Sequence, residues 1–262
     1  MTNSALNIWE SSQGTLQIRP LNGKLYRLVE SQEQVATLGY VDTLEEQALL
    51  EELLETAKPA HRLDGGGAYA QQLASLHYLL LTPFRYPPLK WGSRFGRTHE
   101  PGMFYGGGDV EVTLAESAYY RFVFWFSMSA EPVKDSIRTS HTLFSALYRT
   151  GRGIQLQRPP FDEYMTVLTH PSNYSQTQTL GSQMREAGVE AFEYGSAHDP
   201  SHGLCVALFT PAAFECRKPD AMQQWFCEVS ASAVSFKQLA EREVIHFQLE
   251  DFLIDGALPR PA

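Results

Sequence analysis

Cysteine is scarce in this chain of 262 residues. Cys205, Cys216 and Cys227 are all there is, an odd count with no C-x-x-C pair. That pattern argues against a disulfide framework and a thiolate zinc site. Positive charge is scarce too: Lys and Arg total 21 against 30 Asp and Glu, a formal net charge of -9. Bulk charge of this sign argues against nucleic acid as a direct partner, so an anionic ligand would need a local cluster of arginines. Long apolar runs are missing. FVFWF at 122–126 is the most apolar stretch and is far too short to span a bilayer. The opening MTNSALNIWESSQG has neither the basic start nor the apolar run of a secretion signal. A soluble, cytoplasmic protein without membrane contact is the expectation.

Repeats and low-complexity linkers are also lacking, and 43% of the residues are hydrophobic. We therefore expect a single α+β domain over 1–262, with a mostly helical and loop-like elaboration at about 125–175. KLYRLVE (24–30) alternates as a strand and carries Arg27. DTLEEQALLEELLETA (42–57) is the clearest helix, with Leu49, Leu50, Leu53, Leu54 and Ala57 at helical spacing. A glycine loop and second helix are expected over 61–81, ended by Pro83. Further helices are expected over 110–126, about 137–149 and 181–187. LCVALF, AMQQWFCEVSASAVSF and VIHFQLEDFLI read as strands.

Three glycines, Gly106 to Gly108, stand between an extended MFY and the helix that carries Glu116. They are not a P-loop, because no Lys-Ser or Lys-Thr follows, and they lack the third glycine of a dinucleotide fingerprint. A tight turn into a helix capped by Asp109 accounts for them. Around them, Arg94, Tyr105 and Glu116 are spaced by eleven and eleven residues, and Arg97 lies close to Arg94. Arginine matches phosphate oxygens with a flat fork of donors. Tyrosine stacks on an aromatic ring. A carboxylate can hold a ribose hydroxyl and favour positive charge at a sugar carbon. These are the parts needed to break a glycosidic bond to nicotinamide. Each alone is weak evidence, and by themselves they fit a surface arginine, a core tyrosine and a solvated glutamate better.

Other chemistries fit less well. His198 and His202 in HDPSH are four apart, but Pro200 between them rules out one helical face, so no metal site is expected. Ser196 is flanked by Tyr194 and His198 where a nucleophile elbow needs glycines. Cys205 sits in an apolar strand and reads as a small core residue.

The ordered set of motifs resembles the RES-domain family, the toxins of Xre–RES toxin–antitoxin pairs. Tyr26-Arg27, GSRFG with Arg94, MFY with Tyr105, VTLAES with Glu116 and EYGSAHDPSHGLCVALF with Ser196 come in the family's order over about 24–210. The chain departs from it at Ser93 and Gly96, where the family usually has a second glycine and an asparagine, and in about fifty extra residues after Glu116. The resemblance implies an ADP-ribosyltransferase-like fold with a mixed sheet, and an enzyme that consumes NAD by phosphorolysis or hydrolysis and releases nicotinamide. Protein ADP-ribosylation, or an inactive interaction protein of the same fold, are the alternatives. NAD would be the substrate, inorganic phosphate a co-substrate, and no prosthetic group is implied. Arg27 and Arg94 would bind phosphates, Tyr105 would pack on the nicotinamide ribose or ring, and Glu116 would stabilise the oxocarbenium-like transition state. Ser196 would hydrogen-bond a phosphate or the ribose. The implied partner is a cognate Xre-like antitoxin, in an oligomer with the toxin.

Overall fold

The computed structural model describes residues 7–31, 42–57, 75–86, 88–130 and 132–261. Among the described residues the frame is one eight-stranded mixed sheet. The strands are β1 (Arg19–Glu30), β2 (Phe104–Gly107), β3 (Ser136–Gln155), β4 (Ala191–Gly195), β5 (Leu204–Leu208), β6 (Ala221–Ser230), β7 (Ala233–Gln238) and β8 (Ile245–Gln248). β1 pairs along most of its length with β3, while a single Tyr26–Gly107 pair joins it to β2. β2 continues to β5, β5 to β4, and β4 runs parallel to the far end of β3. These pairings close a ring of five strands. The opposite half of β3 carries the meander β6–β7–β8. The α+β class expected from the sequence is the class observed.

The segment at about 125–175 departs from expectation. Its centre is β3, the longest strand, where a helix was expected at about 137–149. The cause is burial. Six successive residues, His141 to Ala146, are buried, so the alternation that marks a half-buried strand is absent.

Among the described residues four helices have eight or more residues: α1 (Leu44–Ala57), α2 (Tyr78–Arg85), α3 (Val110–Trp125) and α4 (Ser175–Glu186). The expected stripe on α1 is not a buried face where it is described, since Leu49 and Leu53 are each 57% exposed. Residues 58–74, with most of the expected glycine loop and second helix, lie outside the described residues. The described α2 is capped by His77, whose Nδ1 accepts from the Leu79 N–H, and it runs two residues past Pro83.

α3 positions the site. Asp109 caps it, accepting from the Val112 N–H at 2.8 Å. One face, with Leu114, Ala118, Tyr119, Phe122 and Trp125, packs on Leu143, Trp225, Cys227 and Phe236 of the sheet. Each such large side chain stabilises by roughly 1.5–3 kcal/mol when fully buried. The other face opens on a cavity. Two further clusters hold the ring: Leu25, Leu80, Phe104, Phe144 and Val206 in one, and Phe95, Ile154, Leu180, Met184 and Phe192 in the other. Among the described residues no helix is long and apolar enough to cross a membrane.

Candidate active site

A cavity of about 680 Å³ lies between β1 and the open face of α3, within the size range of small-molecule sites. Glu116 is on α3, one turn beyond Val112. Its Oε1 accepts from the Ser196 hydroxyl and, at 3.2 Å, from the Ala197 N–H. Burial works against its charge, but His198, Arg94 and the Ser196 hydroxyl outweigh it and hold the carboxyl below its ordinary range. The His198 contribution needs an imidazolium. Yet burial first, with Arg94 beside it, pushes His198 itself down to about 4 against the pull of Glu116. At neutral pH His198 is neutral, so Arg94 and the hydrogen bonds are what keep Glu116 ionised there.

Arg94 is brought in by the turn 92–96. Gly92 has φ +79°, and a Cβ there would lie 2.4 Å from the Gly96 carbonyl oxygen, so glycine is required. The Ser93 N–H donates to the Gly96 carbonyl at 2.8 Å, and Gln178 donates to the Trp91 and Ser93 carbonyls. The Arg94 guanidinium is buried and lies 4.7 Å from the Tyr174 ring centroid. It donates to the His170 carbonyl at 2.7 Å and, at 3.5 Å, to His198 Nε2. The His198 ring stacks flat on Tyr119, with centroids 3.5 Å apart. Arg97 turns aside to Thr179 and is not part of the cavity wall.

Arg27 reaches the cavity where β1 and β2 diverge. It donates to the Tyr105 carbonyl at 2.7 Å and sits 4.9 Å from the Phe104 centroid. Burial lowers its pKa to about 10, although part of its surface is open to the cavity. It therefore carries its charge at neutral pH. Among the described residues no carboxylate pairs with it.

Tyr105 lines the cavity with its ring, but its hydroxyl belongs to the turn. It accepts from the Phe95 N–H at 3.1 Å and shares a 2.9 Å bond with Ser93 Oγ. Burial pushes the phenol up to about 12. Ser196 is fully buried and does not line the cavity. Its hydroxyl donates to Glu116 and accepts the N–H groups of His198 and Asp199 at 3.2 and 2.9 Å. In this arrangement it is engaged inside the protein, where the family resemblance implied a hydrogen bond to a phosphate or the ribose.

The structure thus gathers Arg27, Arg94, Tyr105 and Glu116 on one cavity wall, with Ser196 behind Glu116. His202 is not near a metal cluster; its Nδ1 lies 2.8 Å from the Ser196 carbonyl. Among the described residues no group of three or more His, Cys, Asp or Glu could hold a metal. Cys205 is buried, and burial raises its thiol well above the ordinary range.

The glycine triplet serves packing. A Cβ on Gly106 would meet the Tyr26 carbonyl at 2.6 Å, and one on Gly107 would meet Thr113 Oγ1 at 2.4 Å. The triplet lets β2 and the first turn of α3 approach β1.

Sequence reasoning singled out Glu116 on α3 but missed the rest of that face. Thr113, Ser117, Tyr120, Arg121 and Phe124 share the cavity with it. Their i, i+3/i+4 spacing was the available signal. Tyr174 and Tyr194 are contributed by distant segments and had none.

A family model described as the RES domain matches residues 70–230. That range holds Arg94, Tyr105, Glu116 and Ser196; Arg27 precedes it. No curated protein matches the chain. Among solved structures, the chain is similar to one titled "Crystal structure of the M.tuberculosis MbcT-MbcA toxin-antitoxin complex", with 10% identity, 92% of each chain covered and a TM-score of 0.44.

Proposed function

The chain belongs to the RES-domain family, and from that premise we propose that it is an NAD-consuming toxin that cleaves the nicotinamide–ribose bond. The observation that carries this reading is a buried, ionised Glu116 facing the same cavity as two arginines. The partner we propose is a cognate Xre-like antitoxin, as the family resemblance implies.

The chemistry follows from the leaving group. Nicotinamide is bonded to ribose through a cationic ring nitrogen. When the C1′–N bond breaks, its electron pair goes to that nitrogen and nicotinamide departs neutral. No general acid is needed. Positive charge develops at C1′ and O4′ of the ribose, and a preorganised carboxylate lowers the energy of that state. Glu116 is suited to this, because Ser196 and the Ala197 N–H fix its orientation. Ser196 is accordingly a positioning residue. Arg27, charged and with no carboxylate partner among the described residues, is the anchor for the dinucleotide phosphates, with Arg94 beside the carboxylate. An oxygen then bonds to C1′: an anionic oxygen of inorganic phosphate attacks with no proton to lose, whereas water releases one proton to solvent.

The test is nicotinamide release from NAD by purified protein, with and without inorganic phosphate, beside Glu116→Gln. Removing the carboxylate is expected to lower kcat by roughly a hundredfold or more. A phosphate requirement would make the enzyme a phosphorylase. Absence of turnover under both conditions by folded wild-type protein would refute the proposal and leave protein ADP-ribosylation or an inactive scaffold.

A further inference from the structure

The cavity continues beyond Glu116 and Arg27 into a second lobe. Along α3 the wall runs from Glu116 through Tyr120 and Arg121 to Phe124, and along β1 from Arg27 to Glu30. At 1.5 Å per helix residue and about 3.3 Å per strand residue, the lobe lies about 10 Å past the reacting end. Arg121 and Glu30 close across it with a 3.1 Å ion pair. Arg121 Nη2 and Thr139 Oγ1 lie 3.1 and 2.8 Å from His141 Nε2.

We propose that this far lobe is a subsite for a purine nucleoside, the adenosine half of the dinucleotide. The inference rests on the NAD reading above. Charge separates it from a phosphate site. Arg121 already carries a carboxylate, and Glu30 would repel a second anion. His141 adds no positive charge at neutral pH, because burial and Arg121 hold it down at about 4. Arg27, which no carboxylate pairs among the described residues, lies nearer the reacting end, where a pyrophosphate would need it. The surface left in the lobe suits a flat heteroaromatic ring. Tyr120 and Phe124 stand four residues apart on one face of α3, each 48% exposed. Half-exposed aromatic faces of this kind are surfaces on which a base stacks. The Arg121–Glu30 pair presents donors and an acceptor to the hydroxyls of a ribose or the edge of a base.

Two measurements test this. The first compares nicotinamide release from NAD and from nicotinamide mononucleotide, which lacks the adenosine half, in wild type, Phe124→Ala and Phe124→Tyr. Phe124→Ala is expected to raise KM for NAD about tenfold, in line with loss of one base–aromatic stack, and to leave kcat within about twofold. KM for the mononucleotide should not follow, and Phe124→Tyr should restore the NAD value. The second is calorimetric titration of AMP into Glu116→Gln protein, with and without Phe124→Ala; binding is expected in the first and at least tenfold weaker in the second. An equal rise in KM for both substrates, an unchanged KM for NAD, or AMP binding that is absent or indifferent to Phe124 would overturn the assignment. If wild type releases no nicotinamide from either substrate, the NAD proposal fails on its own, and the AMP titration still decides the lobe.

Discussion

The Ser196 hydroxyl donates to Glu116 Oε1, joining side chains 80 residues apart. The same oxygen accepts two backbone N–H groups of the loop that follows it. One buried hydroxyl thus fixes both the carboxylate and the loop that presents His198 to Arg94.

Ser196→Ala should therefore do two separable things. It leaves two buried N–H groups without their acceptor, at a cost of about 1–3 kcal/mol in denaturant unfolding. It also removes a bond that favours ionised Glu116. The folded carboxyl lies below its ordinary range, so activity and the associated stability are present at neutral pH and fall as pH drops through that lowered value. Losing the hydroxyl moves the acid limb of the kcat/KM profile to higher pH. An unshifted acid limb would show that Ser196 does not tune Glu116.

Arg27→Met separates stability from function. Burial lowers the guanidinium pKa to about 10, so at neutral pH the charge opposes folding, and the penalty fades only as pH rises past that value. Removing it should raise Tm by about 2–4 °C for each kcal/mol gained. NAD binding should weaken tenfold or more, since the anion loses the cation that faces it. A variant that binds NAD normally would remove Arg27 from the site.

Tyr105→Phe probes the turn. The phenol is bonded to Ser93 and Phe95, the neighbours of Arg94. Losing it should cost about 1 kcal/mol of stability and raise KM through a loosened Arg94. A ring that only stacks on substrate would leave the phenylalanine variant unchanged in both.

Gly107→Ala tests close packing. The added Cβ would fall 2.4 Å from Thr113 Oγ1 and 2.8 Å from the Thr113 N atom. Because backbone cannot yield as a flexible side chain can, we expect a loss of about 1–3 kcal/mol and reduced turnover as the start of α3 shifts. Chemical denaturation and nicotinamide release measure the two effects.

Much of the site was legible because each residue sits in a local motif. Glu116 follows a capped helix start, Arg94 follows a glycine in a turn, and Tyr105 precedes a glycine triplet. The function of Ser196 was not legible in that way. Nothing local says that a serine ahead of a loop lies behind a carboxylate, and only the approach of β4 to α3 makes that contact. The helix expected at about 137–149 was misread for a related reason. A strand buried on both faces loses the period that identifies it, and whether both faces are buried depends on segments far away in the chain.

The sequence by itself determined the local pieces: the Asp109 cap, the glycines at 92 and 106–108, the alternation of β1 and the charge set of Arg27, Arg94 and Glu116. Those follow from backbone sterics and side-chain chemistry within a few residues. The tertiary structure decided which of them face one cavity, that Ser196 positions Glu116, that His198 is neutral, and that α3 turns a second polar and aromatic stretch toward the same cleft. Burial and long-range contact set these properties, and both are products of the whole fold.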